Sequence, residues 1–437
     1  MVLKIKEKIN ELKKVYNDVF YLEEDMVLNV VIAITVAAKL EGDPIWLLII
    51  GGPSSGKSEL CQSLSAVPFV HSVSTLSENT FLSNMPSGNG KENSLLHRIG
   101  PQGVLIMKDY TSILSMRAEK RDVIISQMRE IYDGAISKES GNGQSQSWQG
   151  KLNWIGAVTE SVYLKEDESA GMGRRTINYV MPNQDRKKTT MRAVENNKDS
   201  KEKRERIQTI FNDTVMYIVE NLVGKPMPDI TPEFTEELVD LADFITEVRS
   251  PTERNFRGEL VLVPSSEMPM RVFQMFLTLA RVLILLNEGE VTDEIRGILY
   301  KIAMDSIPKQ RRLALQLLAQ YDKITTKGAA QILRYPTETM RVWLENVNVL
   351  GICERKNSTN GLTGPDIWVM NEPYRSMMIK YDHLERINDI LADKSEEVSS
   401  SSNEINPLWA KGIASKTDDP GQIKEINERA QRNFDDF

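Results

Sequence analysis

The sequence has few of the residues from which disulfide frameworks, zinc sites and histidine-based catalytic centres are built. Its two cysteines, Cys61 and Cys353, are too few for a disulfide framework, and neither has a His or Cys partner at metal-ligand spacing. We therefore expect no structural zinc site. Only three histidines are present, so the sequence gives no support for a catalytic centre built on histidine.

Long apolar segments are also missing. The two longest apolar stretches, 26–40 and 272–286, contain polar or charged interruptions and are shorter than the roughly 20 residues that a membrane-spanning helix needs. Residues 1–20 show amphipathic helical spacing and several acidic side chains, unlike a signal peptide. We therefore expect a cytoplasmic protein with no membrane partner.

Positive charge is not in excess either. The 54 Lys and Arg residues are outnumbered by 62 Asp and Glu residues, which gives a formal net charge of -8. Any contact with nucleic acid must therefore come from local basic patches rather than from the field of the whole molecule. The chain has 437 residues, of which 41% are hydrophobic, so it is long enough for two or three globular domains.

A phosphate-binding loop is the clearest motif. The sequence GGPSSGKS at 51–58 matches the Walker A pattern G-x-x-x-x-G-K-S/T and follows the continuous apolar run 45–50, which is typical of a buried parallel strand. In this pattern backbone amides surround the phosphates, the lysine neutralises charge and the hydroxyl ligates magnesium. The motif predicts ATP and Mg²⁺ as cofactors, and the alternative is a glycine loop with a chance lysine. The residues expected at the nucleotide are Gly51, Gly52, Pro53, Ser54, Ser55, Gly56, Lys57, Ser58 and Glu59.

An acid that follows a later apolar run completes the predicted magnesium site. Asp109 comes after the run 103–107, and we expect it at the tip of a strand neighbouring the loop strand, where it holds magnesium together with Ser58. The alternative is an aspartate that only caps a helix. Tyr110 stands where a water-activating glutamate would follow, so hydrolysis needs a base from elsewhere. The candidates are Glu78, Glu130, Asp133 and Glu160.

Two further apolar runs end or begin at polar residues. Thr159 follows the run 152–158 and is placed to sense the γ-phosphate or the attacking water, unless it is a simple strand-end threonine. Arg174 and Arg175 precede the run 176–181, where an arginine could reach a neighbouring subunit's nucleotide; a locally paired arginine is the alternative. Because these runs alternate with helical stretches, we predict an α/β fold with a parallel sheet.

The periodicity of the whole chain predicts six segments. After the core, a charged stretch nearly devoid of apolar residues indicates a solvated helix or linker, and helical periodicity then indicates a lid or second all-α domain. Three helices and a glycine-rich hairpin then predict a winged helix-turn-helix. The segments are amino-terminal helices at 1–40, the P-loop core at 41–185, the linker at 186–206, the lid at 207–305, the winged helix at 306–380 and a largely disordered tail at 381–437.

The order of these parts resembles AAA+ ATPases, and within them the clade with a pre-sensor hairpin that includes minichromosome-maintenance-type helicases. The resemblance spans roughly residues 25–372. The stretch ISKESGNGQSQSWQGKLNW is similar to the DNA-facing hairpin of that clade, with Lys138 near its base. The stretch SSEMPMRVFQMFLTLARVLILL resembles the lid helix, and this implies that Arg271 senses nucleotide; an ordinary surface arginine is the alternative.

The chain also departs from those helicases. It has no Asp-Glu pair, it has threonine in place of the sensor asparagine, and it lacks a zinc-binding amino-terminal domain. The segments GDPIWLLIIGGPSSGKSEL, LIMKDYTSIL and REIYDG are similar to ATP-binding proteins of phages and bacterial mobile elements that are often described only as helicase candidates.

These features predict an ATPase that acts on DNA as an oligomeric helicase, translocase or replication factor of a mobile element. The resemblance implies a homo-oligomeric ring, for example a hexamer. Arg341 and Trp343 on the third helix of the winged segment, and Arg355 and Lys356 at its wing, would contact DNA.

Two alternatives belong to other functional classes. A nucleotide-dependent switch would signal through the winged helix to a transcriptional or assembly partner without translocation, and the missing catalytic glutamate favours it. A kinase that uses the loop is weaker, because no motif indicates an acceptor pocket. Whether the substrate is DNA, RNA or protein stays open.

Overall fold

A computed structural model of the protein describes residues 2–22, 24–83, 94–139, 145–165, 175–182, 184–196, 199–255, 260–262, 266–357 and 365–380. All of these lie within one unit of the chain, Met1–Leu384. The predicted disordered tail at 381–437 falls outside the described residues. In the part that is described, no helix combines the length and apolar character needed to cross a membrane.

Twelve strands are present in the described ranges. In chain order they are β1 (Trp46–Ile50), β2 (Val70–Val73), β3 (Gln102–Met107), β4 (Ala135–Glu139), β5 (Ser145–Gln149), β6 (Lys151–Val158), β7 (Ile177–Val180), β8 (Glu253–Arg254), β9 (Leu260–Leu262), β10 (Ile324–Thr325), β11 (Cys353–Asn357) and β12 (Asp366–Met370).

Helices occupy most of the remaining described residues. They are α1 (Val2–Val19), α2 (Met26–Ala37), α3 (Lys57–Ser63), α4 (Leu95–Ile99), α5 (Thr111–Leu114), α6 (Ala118–Tyr132), α7 (Arg186–Glu195), α8 (Ser200–Leu222), α9 (Pro232–Val248), α10 (Met270–Leu286), α11 (Asp293–Asp305), α12 (Lys309–Gln320), α13 (Thr326–Leu333), α14 (Thr337–Val349) and α15 (Tyr374–Lys380). Two 3-10 helices, Leu64–Ala66 and Glu160–Lys165, are also present.

Five parallel strands form the central sheet, in the order β2-β3-β6-β1-β7. Leu47 of β1 is aligned with Ile155 of β6 on one side and with Ile177 of β7 on the other. All five residues of β1 are buried, because helices cover both faces of a parallel sheet and leave no side open to water. The predicted α/β fold with a parallel sheet is confirmed.

The strand order corrects one detail of the sequence prediction. Asp109 was expected on a strand next to the loop strand, but β6 lies between β3 and β1. Thr159, which follows β6, is therefore nearer in the sheet to the loop than Asp109 is. The carboxyl ends of parallel strands meet at one edge, so the loop, Thr159 and Asp109 still share that edge.

Helix α11 closes the open edge of the sheet at β7. The carboxylate of Asp305 accepts a hydrogen bond from the backbone N–H of Val180 at 2.8 Å, and the Ser306 hydroxyl accepts one from Asn178 at 2.9 Å. Asp305 is buried, and it also binds Arg312 at 2.5 Å and Lys301 at 3.1 Å. These contacts satisfy backbone donors that an edge strand otherwise leaves open.

The apolar helix α2 is attached to the sheet through two polar side chains of β6. The buried Asn153 accepts a hydrogen bond from Ile45 N at 3.0 Å and donates one to Ile34 O at 2.7 Å. The Lys151 ammonium donates to Ala37 O and Leu40 O at the end of α2, and burial lowers the pKa of Lys151 to about 8.

The predicted hairpin and carboxy-terminal segment have identifiable counterparts. Strands β4 and β5 pair in antiparallel fashion, while the Gly-Asn-Gly turn predicted between them lies outside the described residues. Helices α12, α13 and α14 are followed by β11 and β12, and a short strand that the sequence did not predict, β10, extends this hairpin to three strands in the order β10-β12-β11.

Replacement of Asp305 by alanine should destabilise the fold strongly. It leaves Arg312 buried without its carboxylate and frees the backbone N–H of Val180, and the removal of one partner of a buried ion pair costs about 3–5 kcal/mol. Urea unfolding followed by circular dichroism measures the loss.

The matched control is Asp293→Ala, because Asp293 lies on the same helix but its side chain is fully exposed. This variant should leave the unfolding midpoint nearly unchanged. Equal midpoints for the two variants would show that α11 does not close the sheet edge as described.

Candidate functional site

The segment between β1 and α3 has the backbone shape of a tight phosphate-binding turn. Gly56 has a φ of 87° and Ser54 a φ of 62°, both in the left-handed region, which glycine adopts freely and other residues rarely. Helix α3 begins at Lys57, directly after this turn. The amides of the loop and of the first helical turn are therefore close together at the carboxyl edge of the sheet.

Lys57 folds back into the loop that carries it. Its ammonium donates hydrogen bonds to Gly51 O at 2.6 Å, Gly52 O at 2.7 Å and Ser55 Oγ at 3.0 Å. Burial lowers the pKa of Lys57, while the charges of Glu160 and Asp109 act in the opposite direction. The positive charge is held by neutral carbonyl oxygens, which are weaker partners for an ammonium than phosphate oxygens are.

A cavity of about 510 Å³ opens beside the loop. Its volume lies in the range of small-molecule and cofactor pockets, roughly 300–1,000 Å³. Three parts of the chain line it: the loop, the end of α1 with the turn that follows, and the helices α7 and α8. The lining includes Ser54, Ser55, Gly56, Lys57, Ser58, Glu59, Tyr16, Phe20, Tyr21, Thr189, Arg192, Asn196 and Arg204.

The charged stretch 186–206 supplies one wall of this cavity, a role that its composition did not reveal. Arg204 binds both carboxylate oxygens of Glu59, at 3.0 and 2.8 Å, and so connects α8 with α3. Arg192 donates to Asn17 O and Asp18 O, which holds α7 against the end of α1. Thr189 also lines the cavity, and its buried hydroxyl oxygen has no hydrogen-bond partner among the described residues.

Asp109 makes the helix-capping contact that was the alternative to its magnesium role. Its Oδ1 accepts a hydrogen bond from the Thr111 backbone N–H at 3.0 Å, at the start of α5. Its side chain is nevertheless exposed, and its charge acts on Lys57. One carboxylate oxygen in a cap does not prevent the other from meeting a cation.

The donor set fits magnesium only together with a phosphate ligand. No group of three or more His, Cys, Asp or Glu side chains able to hold a metal is found in the described part of the chain. Mg²⁺ in nucleotide sites takes one or two protein oxygens and completes its shell with phosphates and water. Ser58 and Asp109 match that requirement.

Tyr110 cannot replace the glutamate that is missing after Asp109. Its side chain is buried, its ring lies 5.1 Å from that of Trp154, and burial raises the pKa of its hydroxyl. It therefore points into the core of the sheet, away from the loop.

The four candidate bases lie in different places. Glu160 follows Thr159 directly at the loop edge, and its charge acts on Lys57. Asp133 instead binds Arg175 at 2.8 Å and lies at the opposite edge, so its suggested role as a base is wrong for its own loop. Glu130 is exposed near the same end of α6, and Glu78 is exposed in the segment after β2.

Thr159, the predicted sensor, follows β6 at the loop edge, and its hydroxyl lies 2.6 Å from the Ser161 hydroxyl.

Arg175 precedes β7 and so lies at the amino edge of the sheet, where the strands begin, opposite to the carboxyl edge that carries the loop. Its guanidinium contacts the ring of Tyr132 at 5.7 Å, and Tyr132 packs against Trp46, the first residue of β1. The rise per strand residue puts that end of β1 about 13 Å from the end that carries the loop. Arg175 therefore cannot serve the loop of its own chain, and Arg174 lies outside the described residues.

Arg271 is located near Arg175 and does not line the cavity. It forms an ion pair with Glu267, and its charge lowers the pKa of Tyr132 against the larger, opposite effect of burial. Arg249 binds the same Glu267 at 3.4 Å and also donates to Thr176 O. The predicted contact of Arg271 with nucleotide is thus not made within its own chain, because α10 presents this residue to the amino edge.

The residues predicted to contact DNA already have acidic partners within the chain. Arg341 binds both Glu338 and Glu345 on its own helix. At the wing, Arg355 binds Asp366 at 2.8 Å and Lys356 lies 3.2 Å from Glu354; Trp343 packs against the ring of Tyr335 at 4.6 Å. Lys138 donates to Asn79 Oδ1 and so joins the β4–β5 hairpin to the loop after β2.

A different basic surface lies on and beside α13. Lys323, Lys327 and Arg334 are exposed, and no ion pair of theirs is found among the described residues. Lys327 lies in the first turn of α13, and Arg334, in the left-handed conformation, caps the carboxyl end of the same helix. Their spacing is visible in the sequence, but the expectation of DNA contact rested on the third helix and the wing instead.

Comparisons with known proteins add little to this geometry. No family model and no curated protein matches the chain. Among solved structures, the A-form apo structure of the NrS-1 C-terminal region matches with 10% sequence identity and a TM-score of 0.24, covering 84% of this chain and 75% of that one. A TM-score of this size supports no argument about fold or function.

Proposed function

We propose that this chain is a P-loop ATPase of the AAA+ type that acts on DNA as part of a homo-oligomer. The observation that carries the proposal is the loop between β1 and α3, where the buried Lys57 ammonium lies among the carbonyls of Gly51 and Gly52 beside a cavity of about 510 Å³. Asp109 and Thr159 at the same sheet edge complete the arrangement.

Each part of a nucleotide has a suitable counterpart in this site. The loop amides and the Lys57 ammonium would donate hydrogen bonds to the triphosphate. For this, the ammonium would exchange its carbonyl partners for charged phosphate oxygens. The nucleoside would enter the cavity between the end of α1 and α7, where the Thr189 hydroxyl has no partner among the described residues. Ser58 and Asp109 would hold magnesium together with phosphate oxygens, and the metal would neutralise charge on the transferred phosphoryl group.

The amino edge of the sheet suggests why an assembly would be needed. Arg175 contacts the ring of Tyr132 there, and the charge of Arg271 acts on the same tyrosine, on the far side from the loop of their own chain. In a ring, this edge of one subunit would face the loop of the next, and the arginines would exchange Asp133 and Glu267 for phosphate oxygens. Arginine supplied from a neighbouring subunit stabilises charge that develops in phosphoryl transfer.

The carboxy-terminal segment supports the DNA part of the proposal. We interpret α12, α13 and α14 with β10, β11 and β12 as a winged helix. Its contact with the DNA backbone would use Lys323, Lys327 and Arg334, because the cations of α14 and the wing are already paired. Phosphate contacts of this kind position a protein on DNA without reading sequence.

A second candidate is a nucleotide-dependent switch that signals through the same segment without translocation. The paired state of Arg341 and Arg355 favours it, because a neutralised surface suits contact with a protein. Tyr110 in place of a catalytic glutamate also favours slow hydrolysis.

Lys57→Ala should remove binding of Mg²⁺-ATP while the fold stays intact. The variant loses the one ammonium that lies in the loop, and we expect affinity to fall at least about 100-fold. Isothermal titration calorimetry measures affinity, and circular dichroism checks the fold. Lys225→Ala, in the exposed turn after α8, is the control that should bind as the wild type does. Affinity of the Lys57 variant within about threefold of wild type would refute the loop assignment.

The choice between motor and switch follows from ATPase rate and particle mass, measured together with and without single-stranded DNA. A motor should form an oligomer with ATP, and DNA should stimulate its turnover several-fold. A switch should show turnover that DNA does not change.

The double variant Lys327→Ala/Arg334→Ala should weaken binding to duplex DNA. The slope of log affinity against log salt concentration should become less steep by about 0.9 for each phosphate that the protein no longer neutralises. Arg341→Ala is the matched control and should change little, because two glutamates already hold that guanidinium. The reverse pattern would move the DNA contact to α14.

A further inference from the structure

Glu160 occupies a position in the sheet that suits it to act on a bound triphosphate. Strand β6, which it follows, lies between the loop strand β1 and the strand β3 that leads to Asp109. The 3-10 helix that begins at Glu160 contacts α5, which starts just after Asp109. The Glu160 side chain is 47% exposed, so water can reach its carboxylate.

Of the other acids considered for water activation, Asp133 and Glu130 do not share this location, and Glu78 follows β2, which β3 and β6 separate from the loop strand β1. The residue after Asp109 is Tyr110, which points into the core. Asp133 is held by Arg175 at the amino edge, and Glu130 lies one turn before it on α6. Asp109 itself is assigned to magnesium. Glu160 is the candidate base whose charge reaches Lys57.

Glu160 also has a partner from a distant part of the sequence. Lys309, the first residue of α12, places its ammonium 3.1 Å from Glu160 Oε2. Both side chains are nearly half exposed, at 42% and 47%, so water screens the ion pair and it can open readily.

Buried arginines fix the helix that carries Lys309. Arg311 donates to Val248 O at 2.6 Å and to Ser250 O at 2.5 Å, at the end of α9. Arg312 binds the buried Asp305, which in turn holds Val180 of β7. The contacts of Arg311 and Arg312 therefore determine where Lys309 lies. A shift of the carboxy-terminal segment that moves α12 would also move Lys309 relative to Glu160.

We propose that Glu160 is the general base for ATP hydrolysis and that Lys309 restrains it, so that the carboxy-terminal segment controls turnover. This inference rests on the proposed ATPase function. In the reaction, Glu160 accepts a proton from water as the water oxygen bonds to the γ-phosphorus. The bond from that phosphorus to the β–γ bridging oxygen breaks, with its electron pair passing to ADP. Glu160 then returns the proton to the released phosphate.

The catalytic part is tested with Glu160→Gln, which keeps the size of the side chain and removes its basicity. We expect ATP affinity within about twofold of wild type and a single-turnover rate at least about 100-fold lower. Glu290→Gln, an exposed acid in the turn after α10, is the control with an unchanged rate.

The outcomes separate this inference from the proposed function. A wild-type chain that binds no ATP refutes the ATPase proposal itself. A wild-type chain that binds ATP, with a Glu160 variant that hydrolyses it equally fast, overturns the role of Glu160 alone.

The restraint is tested with Lys309→Met, which keeps the side-chain length and removes the charge. The single-turnover rate should rise at unchanged ATP affinity, and Lys309→Met/Glu160→Gln should be as slow as Glu160→Gln alone. Lys225→Met is the control for loss of one exposed ammonium. An unchanged or lower rate in Lys309→Met, or a rise that persists in the double variant, overturns the restraint.

Discussion

The candidate site is centred on one interaction, the bonding of the Lys57 ammonium to the carbonyls of Gly51 and Gly52 at the end of a buried strand. A charge with so little access to water is stable only if polar atoms surround it. The loop supplies neutral oxygens, and burial still lowers the pKa of the lysine. The loop thus holds an ammonium whose neutral partners could be replaced by phosphate oxygens, which form stronger hydrogen bonds with it.

The sheet distributes the remaining chemistry around that centre. Its carboxyl edge carries the loop, Thr159, Glu160 and Asp109, while its amino edge carries Arg175. Since the two edges are separated by the length of β1, the role proposed for Arg175 requires a second copy of the chain. The contacts of α11 with β7 and of α12 with Glu160 connect the helical and carboxy-terminal segments to the carboxyl edge. A rearrangement of Glu160 at the proposed nucleotide site would therefore alter its contact with α12, which belongs to the segment proposed to contact DNA.

The sequence is sufficient to predict those parts of the fold and of the site that depend only on residues close together in the chain. The apolar run before Gly51 and the glycine and lysine spacing are enough to place the loop, because strand, turn and helix there are determined within about 20 residues. The pairing of Arg341 with Glu338 and Glu345 was also readable, since these residues are three and four positions apart on one helix.

Tertiary packing determined what the sequence could not show. The order of β3, β6 and β1 depends on crossovers that leave no local signal. The stretch 186–206 was expected to be a solvated helix or linker because it lacks apolar periodicity, yet several of its side chains line the cavity. One of them, Arg204, binds Glu59, which is 145 residues away in the sequence. Arg355 and Asp366 meet through strand register.

The most direct measurement is a crystal structure of the chain with Mg²⁺ and a non-hydrolysable ATP analogue. The account predicts a triphosphate inside the loop, with the Lys57 ammonium bonded to phosphate oxygens and no longer to Gly51 O and Gly52 O. A nucleotide bound elsewhere, with Lys57 still on those carbonyls, would contradict it.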